Sequence, residues 1–326
     1  MLSKALYRRA LAAYINVLCF RSSRASCSKI ARLFSCSTQS ISHDALQRLL
    51  TIERQWNREL CKRYGHLLNG KRGRLIIDDT VLAKPFSSEC PILAWLWSSS
   101  DRRYLFGISC VLIIWTDGHT RVPLGVRFWS KNDPRSKIDL AIELLEEVKS
   151  LYTPRVDYVL FDSWYAAAAL LKAVRSLGWH WATKLKRNRI INGNCRVDAF
   201  FSYRYGHDSV RLNKSIRALL VKDNDNFFVS SNLRLTPQQL KAIYGQRQWV
   251  EEVIRILKSH LSLESCSARS EQAHHAHVHL ALMAFCQLEH VRLQLSYSTI
   301  YQLRDNLLNT PVPSKLAWNL QLCGTA

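Results

Sequence analysis

Apolar and polar positions alternate in two ways along this chain, and the change between them divides it into regions. Residues 1–65 show the three-to-four-residue apolar repeat of amphipathic helices. Further along, runs of apolar, β-branched and aromatic residues predict strands at 74–82, 104–115, 121–129, 155–162 and 179–186. Helical repeats lie between the later strands, at 136–152 and 166–177. The pattern therefore predicts a mixed α/β domain preceded by a helical region.

The remaining part of the chain changes pattern twice. Residues 187–234 are rich in Asn, Arg and Tyr and contain short strand-like segments. A helix is predicted over 235–261, because Thr236 and Pro237 suit its cap and first turn. Another is predicted over 274–295. We assign no metal role to the histidines of this last helix, because the pair His275 and His279 lacks a nearby Glu at zinc-protease spacing.

Four polar side chains line one face of the helix predicted at 235–261. At about 100° per residue, Tyr244, Arg247, Glu251 and Lys258 fall within an arc of roughly 60°. The apolar stripe of the same helix runs directly beside this arc rather than opposite it. The polar line therefore lies at the edge of a buried surface, as the wall of a cleft would. The alternative is an ordinary surface helix with internal salt bridges.

Aspartates stand near the ends of two of the predicted strands. Asp78 and Asp79 follow one apolar run, and Asp162 ends another. Together with the helical carboxylate of Glu251, they offer the oxygen ligands that Mg²⁺ prefers. Two such ions can stabilise both the attacking and the leaving oxygen of a phosphoryl displacement. Basic residues beside Glu251 would suit the phosphates of a nucleic acid backbone.

The spacing Tyr-x2-Arg-x3-Glu-x6-Lys, with the upstream Asp-Asp-Thr and a strand-terminal Asp, resembles the DDE transposases of the insertion-sequence-4 superfamily. The resemblance covers roughly residues 70–290. It implies a ribonuclease-H-like core in which Asp79, Asp162 and Glu251 are the catalytic residues and hold two Mg²⁺ ions, with Mn²⁺ as a substitute. It further implies cut-and-paste movement of DNA and a homodimer in the synaptic complex.

By the same resemblance, Tyr244, Arg247 and Lys258 bind DNA at the phosphates of the element end. The implied partners are double-stranded DNA at the element ends and the target DNA. The related alternative is a metal-dependent nuclease or resolvase of ribonuclease-H type, which would share the acidic triad. An alternative from another class is a non-catalytic DNA-binding protein derived from a transposase.

Two of the three acidic positions have a second carboxylate directly beside them, so two assignments need a choice. Glu251 lies inside the polar arc, whereas Glu252 points about 80° away from Tyr244. Asp78 and Asp79 point to opposite faces of their strand, and both faces are apolar. The family pattern has its catalytic Asp directly before Thr, which favours Asp79, and Asp78 stays an open alternative.

The segment 28–46 resembles a helix-turn-helix, with a short amphipathic helix, a Ser/Cys/Ser turn and a second helix opened by a Ser or Thr cap. In this interpretation Thr38, Gln39 and Ser40, together with Ser42 and His43, face the major groove of DNA. The alternative is a helical hairpin that only packs on the core.

Composition agrees with a nucleic acid partner. The formal net charge is +21, from 46 Lys plus Arg against 25 Asp plus Glu, and such a basic balance is typical of proteins that bind polyanions. The ten cysteines form no Cys-x-x-Cys pair, which gives no sign of a zinc ribbon or a redox motif. No secretory signal or membrane-spanning run is apparent, so we expect a cytoplasmic, nucleoid-associated protein without a membrane partner.

We therefore expect an α/β protein with a ribonuclease-H-like catalytic core, a small β-rich insertion and an N-terminal helical domain. The expected divisions are a helix-turn-helix-like DNA-binding region at 1–65 and the first part of the catalytic domain at 66–186. The insertion follows at 187–234, and the remainder of the catalytic domain, with its C-terminal helices, spans 235–326. The expected activity is metal-dependent cleavage and strand transfer at the ends of an insertion sequence.

Overall fold

The computed structural model describes residues 2–20, 26–35, 40–68, 70–87, 90–98, 101–213 and 215–309. Within these ranges the chain alternates between helical and strand-rich segments. The α-helices are α1 Lys4–Phe20, α2 Cys27–Phe34, α3 His43–Thr51, α4 Trp56–Tyr64, α5 Lys137–Tyr152, α6 Ala168–Ser176, α7 Val197–Phe200, α8 Pro237–Gly245, α9 Gln248–His260, α10 Glu271–Gln294 and α11 Ile300–Asn309. The strands are β1 Arg72–Ala83, β2 Ala94–Ser98, β3 Arg103–Thr116, β4 Arg121–Trp129, β5 Arg155–Leu160, β6 His180–Lys184, β7 Ile190–Ile191, β8 Cys195–Arg196, β9 Tyr205–Leu212, β10 Ile216–Asp223 and β11 Asn226–Ser230.

The N-terminal helices pack around α10, which is buried along most of its length. A helix that is apolar on nearly all sides needs neighbours on nearly all sides. Helices α1, α3 and α4 supply them, and β4 covers a further side. Tyr14 of α1 joins the two ends of the chain through a 2.9 Å hydrogen bond between its hydroxyl and Nδ1 of His277. The N-terminal helices thus share one core with the C-terminal part of the chain.

The strands form a mixed sheet in the order β2-β3-β1-β5-β6-β11-β10-β9-β7-β8, with β4 also paired to β3. The central strand β1 lies antiparallel to β3 and parallel to β5. Helix α5 packs on β3 and β4 and also contacts α6, while α9 contacts β1 and α10. The strands predicted at 74–82, 104–115, 121–129, 155–162 and 179–186 are confirmed with small shifts in their bounds.

Two features of the sheet differ from the prediction. Strand β2 was not anticipated; its exposed positions carry tryptophans, so the polar half of the usual alternation is missing. The predicted insertion at 187–234 does contain strands, but β11 pairs with β6 and so continues the main sheet. No local pattern in the sequence reports such a long-range pairing.

The helix predicted over 235–261 is two helices, and the prediction of one continuous helix is wrong. Helix α8 ends at Gly245, and α9 begins at Gln248. Around this break the backbone N–H groups of Gln246 and Arg247 bond to carbonyls only three residues back. Glycine has low helix propensity, and three-residue bonds tighten the turn. The polar line is therefore split, with Tyr244 on α8, Arg247 at the junction and Glu251 on α9.

No helix within the described ranges is both long enough and apolar enough to cross a membrane. The helix predicted over 274–295 is confirmed as α10, which begins at Glu271 behind the N-cap Ser270.

Candidate active site

The sheet topology brings Asp78 and Asp162 close together, although Asp78 and Asp79 lie in the middle of β1 and not near its end as the sequence predicts. Strands β1 and β5 are parallel, and Ile76 lies opposite Leu160, the last residue of β5. Asp78 and Asp162 each stand two residues beyond this pair. Because β5 ends at Leu160 while β1 runs on to Ala83, these carboxylates meet where the chain after β5 leaves the side of β1.

Asp162 is held by the backbone that follows it. It is the N-cap of a short 3₁₀ turn, Ser163–Tyr165. Its Oδ1 accepts hydrogen bonds from the backbone N–H groups of Trp164, at 2.8 Å, and Tyr165, at 3.3 Å. These bonds fix the orientation of the carboxylate, because two donors on one oxygen leave it little rotational freedom.

Asp79 contacts a lysine and a tyrosine. Nζ of Lys137, the first residue of α5, lies 2.5 Å from Oδ2 of Asp79. The hydroxyl of Tyr165 donates to Oδ1 of Asp79 across 3.4 Å. Burial, followed by the charges of Asp79, Asp78 and Asp162, raises the pKa of Tyr165 well above its usual value. The phenol therefore stays protonated and serves as a donor to Asp79.

Asp78 contacts the opposite side of the site. Nη1 of Arg247 lies 2.9 Å from Oδ2 of Asp78. Burial raises the pKa of Asp78 to about 7, and the charges of Asp79 and Asp162 act in the same direction, against the lowering effect of Arg247. The three aspartates are thus close enough to repel one another. Their combined negative charge is only partly compensated by Arg247 and Lys137.

Glu251 joins this group through the same guanidinium. Nη2 of Arg247 pairs with Oε1 of Glu251, whose side chain is 51% exposed. Arg247 therefore bridges a strand carboxylate and a helix carboxylate. Tyr244 is buried beside Phe228, with 5.5 Å between the ring centroids, and burial raises its pKa to about 12.

Lys258 contacts β1 rather than Arg247 or Glu251. Its Nζ donates to the carbonyl oxygen of Val81 at 2.7 Å and pairs with Glu264 at 3.2 Å. Val81 stands two residues beyond Asp79. Lys258 thus connects α9 to β1, the strand that carries Asp78 and Asp79, at a point about two helical turns from Glu251.

The two adjacent aspartates point to opposite sheet faces, as their strand position predicts. Asp78 faces Arg247 and α9, whereas Asp79 faces Lys137 and α5. Arg247 and Glu251 are therefore brought together with Asp78, while Asp79 joins them only through the shared electrostatics of the edge.

The donor chemistry of this edge fits a hard divalent cation. All candidate ligands are carboxylate oxygens, and Mg²⁺ prefers such ligands. Burial is the main cause of the raised pKa of Asp78, and the charges of Asp79 and Asp162, which add to it, are the part that a bound cation would offset. In the described part of the chain, no three His, Cys, Asp or Glu side chains are grouped so that they could hold a metal ion. Lys137 and Arg247 instead provide the positive charge.

Glu252, next to Glu251, belongs to a different environment. Its Oε1 pairs at 2.8 Å with Nη1 of the buried Arg121.

Histidines of α10 form hydrogen bonds within the core: His277 contacts Ser262, and His279 contacts Asn57, both at 2.9 Å. Burial lowers the pKa of His277 to about 4 and that of His279 to about 3, so both imidazoles are neutral core groups at pH 7.

The predicted DNA-reading residues of the N-terminal segment are located only in part. Thr38 and Gln39 lie outside the described residues. Ser40 is exposed and lies in the connection before α3, its carbonyl accepting a 2.8 Å hydrogen bond from Nη2 of Arg9. Helix α3 begins at His43 behind the N-cap Ser42, so Ser40 lies two residues before this cap and outside the helix. The Ser42 hydroxyl, which accepts from Ala45, satisfies the first turn and sets this later start.

Three residues near these carboxylates were not predicted from the sequence as part of the site. Lys137 and Tyr165 contact Asp79, and Lys184 lies with its Nζ 5.5 Å from the centroid of the Tyr244 ring. Tyr165 stands three residues after Asp162, and this proximity was an available signal. Lys137 and Lys184 come from elements whose place beside the aspartates depends on the packing of the sheet.

Comparison with known proteins identifies the family. The model of the transposase DDE domain matches residues 69–286, more than half of the chain. The chain therefore belongs to the transposase DDE domain family. A comparison with curated protein sequences finds no match.

One solved structure supports the fold. The chain is similar to the piggyBac transposase in a synaptic complex with hairpin DNA, with a TM-score of 0.55, 12% identity, and coverage of 99% of this chain and 71% of that one. The α/β, ribonuclease-H-like fold expected from the sequence is thereby confirmed. The Drosophila P element transposase strand transfer complex matches only 51% of this chain and 35% of its own, with 16% identity and a TM-score of 0.27, which supports no inference.

Proposed function

We propose that this transposase moves an insertion sequence by a cut-and-paste route, with metal-dependent cleavage and strand transfer at the element ends. The observation that carries the proposal is the group of carboxylates where β5 ends beside the middle of β1, among which Arg247 bridges Asp78 to Glu251. A protein that only bound DNA would gain nothing from clustered carboxylates beside a polyanion, since like charges repel it. Membership of the insertion-sequence-4 superfamily, from the Tyr-Arg-Glu-Lys spacing, is part of the same proposal.

Asp79, Asp162 and Glu251 are the proposed catalytic residues and the ligands of two Mg²⁺ ions, which Mn²⁺ could replace. Bound there, the ions would supply Lewis acidity to the phosphate and lower the pKa of the attacking water. Asp162 is suited to the role because two backbone donors orient it. Asp79 is oriented by the protonated hydroxyl of Tyr165. Asp78, which contacts Arg247, is the alternative to Asp79.

The proposed reaction has two steps, a hydrolysis that cleaves the DNA strand and a transesterification that joins it to another. Water forms a new bond to phosphorus, the bond from phosphorus to the 3′ oxygen breaks, and that oxygen leaves as a hydroxyl. The freed 3′-hydroxyl then attacks a second phosphodiester, displacing another 3′ oxygen. Neither step needs a covalent protein nucleophile. Arg247 and Lys137 carry the positive charges nearest the carboxylates and are suited to hold phosphate oxygens in line.

Double-stranded DNA at the element ends and target DNA are the proposed partners, and a homodimer is the proposed synaptic unit. Arg247, Tyr244 and Lys258 are the proposed contacts with the end. Lys258 would reach phosphate only by giving up its bond to Glu264. The N-terminal segment that contains Thr38, Gln39 and Ser40 is proposed to contribute to end recognition.

The test is strand cleavage of a DNA end taken from the inverted repeats that flank the gene. With Mg²⁺, the wild-type protein should cut and join this DNA, whereas Asp162→Asn should bind it and leave it uncut. Joining as well as cutting separates a transposase from a nuclease. If Asp162→Asn retains full cleavage, the acidic site is wrongly assigned.

The two neighbouring aspartates require a paired experiment. Asp79→Asn should abolish cleavage, because it removes a proposed metal ligand, and Asp78→Asn should act more mildly. The reverse order of effects would transfer the role to Asp78, which lies on the face of Arg247 and Glu251. Mn²⁺ serves as a second metal in both assays, since a softer ion tolerates imperfect oxygen ligands better.

A further inference from the structure

An exposed aromatic ladder lies on the hairpin formed by β2 and the start of β3. We define it as Trp95, Trp97, Tyr104 and Phe106. Trp95 pairs across the strands with Phe106, and Trp97 with Tyr104. The ring centroids lie 5.6 Å apart in the first pair and 5.4 Å apart in the second. The ladder is therefore one continuous aromatic surface on one face of the hairpin.

The ladder faces solvent although the hairpin has a buried side. Trp95 is 62% exposed, Trp97 56% and Tyr104 65%. On the other side, Ala94 and Leu96 are buried against Val81 of β1. The hairpin is thus anchored through one face, and the large aromatic residues are on the other. Exposed tryptophans contribute little to the stability of the fold, because an apolar side chain stabilises the folded state only when it is removed from water.

The ladder lies on the continuation of the strand that carries the aspartates. Beyond Asp79, strand β1 runs on to Ala83, which pairs with Gly107 of β3, and Gly107 pairs with Ala94 of β2. On β3, the partner of Asp79 is Val111, five residues from Phe106. At roughly 3.3 Å per residue, the ladder begins about 17 Å from the acidic edge. That distance corresponds to about five stacked nucleotides of one strand.

The sheet face of the ladder is also that of Arg247. Residues directly opposite in an antiparallel pair share a face, and the register aligns Asp78 with Leu112 of β3. Phe106 stands six residues before Leu112, an even number, so it projects to the same side as Asp78. Exposed Arg102 and Arg103 stand at the start of β3, beside the ladder. An aromatic surface with adjacent basic residues is suited to unpaired bases and their backbone phosphates.

We propose that the aromatic ladder is a stacking platform for single-stranded DNA next to the acidic site. This inference rests on the proposed transposase function, because the DNA held at the acidic edge is what brings a strand to the ladder. Bases that are unpaired about five nucleotides from the cleaved phosphate would stack on Trp95 and Trp97. Arg102 and Arg103 would contact the phosphates of that strand.

The test compares binding of two probes, a blunt duplex and the same duplex with a poly-dT extension, at one fixed salt concentration. Wild-type protein should bind the extended probe more tightly. Trp95→Ala with Trp97→Ala should weaken binding of the extended probe by about tenfold or more, the range of base–aromatic stacking, with little change for the blunt one. Trp95→Phe with Trp97→Phe should restore much of the preference, because phenylalanine also stacks.

Two outcomes would overturn the stacking platform. One is that the double alanine variant loses affinity equally for both probes. The other is that its affinity for the extended probe is unchanged; a shift of this variant towards monomer in sedimentation would then assign the ladder to contact with a second copy of the chain. Failure of the proposed function looks different, because the wild-type protein would then bind neither probe and cleave no DNA. Thermal unfolding of each variant controls for folding, and the exposure of both tryptophans predicts small changes.

Discussion

Two groups of this molecule pair carboxylates with arginines but balance the charges to different extents. One is the acidic edge around Asp78, and the other is a buried ionic network formed by Glu289, Arg292, Arg121 and Glu252. At the edge, Asp78 shares Arg247 with Glu251, and burial, together with the charges of Asp79 and Asp162, raises the pKa of Asp78 to about 7. In the network, the fully buried Glu289 accepts from Nε of Arg292 at 2.7 Å and Nη2 at 2.8 Å, and also from the backbone N–H of Arg121 at 2.9 Å.

The difference indicates two uses of buried charge. In the network the chain supplies the partners of Glu289 and Arg292, since Arg292 also donates to the carbonyl oxygens of His119 and Tyr297. Such a group stabilises one packing arrangement and has no need of a ligand. The acidic edge keeps excess negative charge near solvent, which costs stability unless something else binds there. Glu251 and Glu252, adjacent in sequence, belong to the two different environments.

The largest expected contrast is between those two glutamates. Glu251→Gln should reduce cleavage at least about a thousandfold, as expected for a group that acts with others on the reacting phosphate, and should leave the folded state intact. Glu252→Gln should retain most cleavage but lower the melting temperature, because it weakens the pair with Arg121. Cleavage assays and thermal unfolding of both variants measure this. Equal loss of cleavage would remove the distinction between the two environments.

The network predicts the next largest effect, on stability alone. Glu289→Gln should lower the free energy of unfolding by about 3–5 kcal/mol, because the guanidinium of Arg292 would stay buried without its carboxylate. Urea unfolding measures the change. The matched control is Glu143→Gln, whose exposed pair with Arg135 is worth no more than about 1 kcal/mol. A small effect at Glu289 would mean that the network is not the stabilising region proposed here.

The acidic edge has its own pH signature. Because the pKa of Asp78 is raised in the folded state, the folded protein binds an extra proton between about pH 4 and pH 7. Its contribution to stability is therefore fully present below the unfolded pKa and is lost as the pH rises through about 7. Asp78→Asn should remove this loss, so that its advantage over wild type grows across the window.

Metal-free urea unfolding at a series of pH values measures that difference. The comparison with wild type is essential, since the buried histidines have lowered pKa values and act in the opposite direction, losing stability as the pH falls below about 6.5. Parallel curves for wild type and Asp78→Asn would show that the edge is as well compensated as the network.

The smallest expected effect concerns salt. Arg247→Ala should weaken binding of the DNA end and reduce the slope of log affinity against log salt by about one, because one phosphate contact is lost. Lys149→Ala, at the far end of α5 from Lys137, is the control and should leave the slope unchanged. If Arg247→Ala also leaves the slope unchanged, Arg247 serves only its pairs with Asp78 and Glu251.

Several parts of this protein followed from the sequence because they depend on local patterns. Apolar periodicity located the strands of the core and α5, α6 and α10, since side-chain alternation and helical repeats are set by neighbours in the chain. The spacing of Tyr244, Arg247 and Glu251 marked the region of the site. Even the opposite directions of Asp78 and Asp79 follow from the two-residue repeat of a strand.

Tertiary structure decided what those local patterns leave open. The pairing of β11 with β6 joined the expected insertion to the main sheet, and the packing of α5 brought Lys137 to Asp79. Apolar periodicity predicted one helix through residues 246 and 247, but there the backbone N–H groups bond to carbonyls only three residues back and the helix is interrupted. The sequence determined which charges exist and their order along the chain. Which of them face one another was decided by long-range packing, because contacts such as Lys137 with Asp79 and Arg247 with Asp78 join residues 58 and 169 positions apart and depend on the whole sheet.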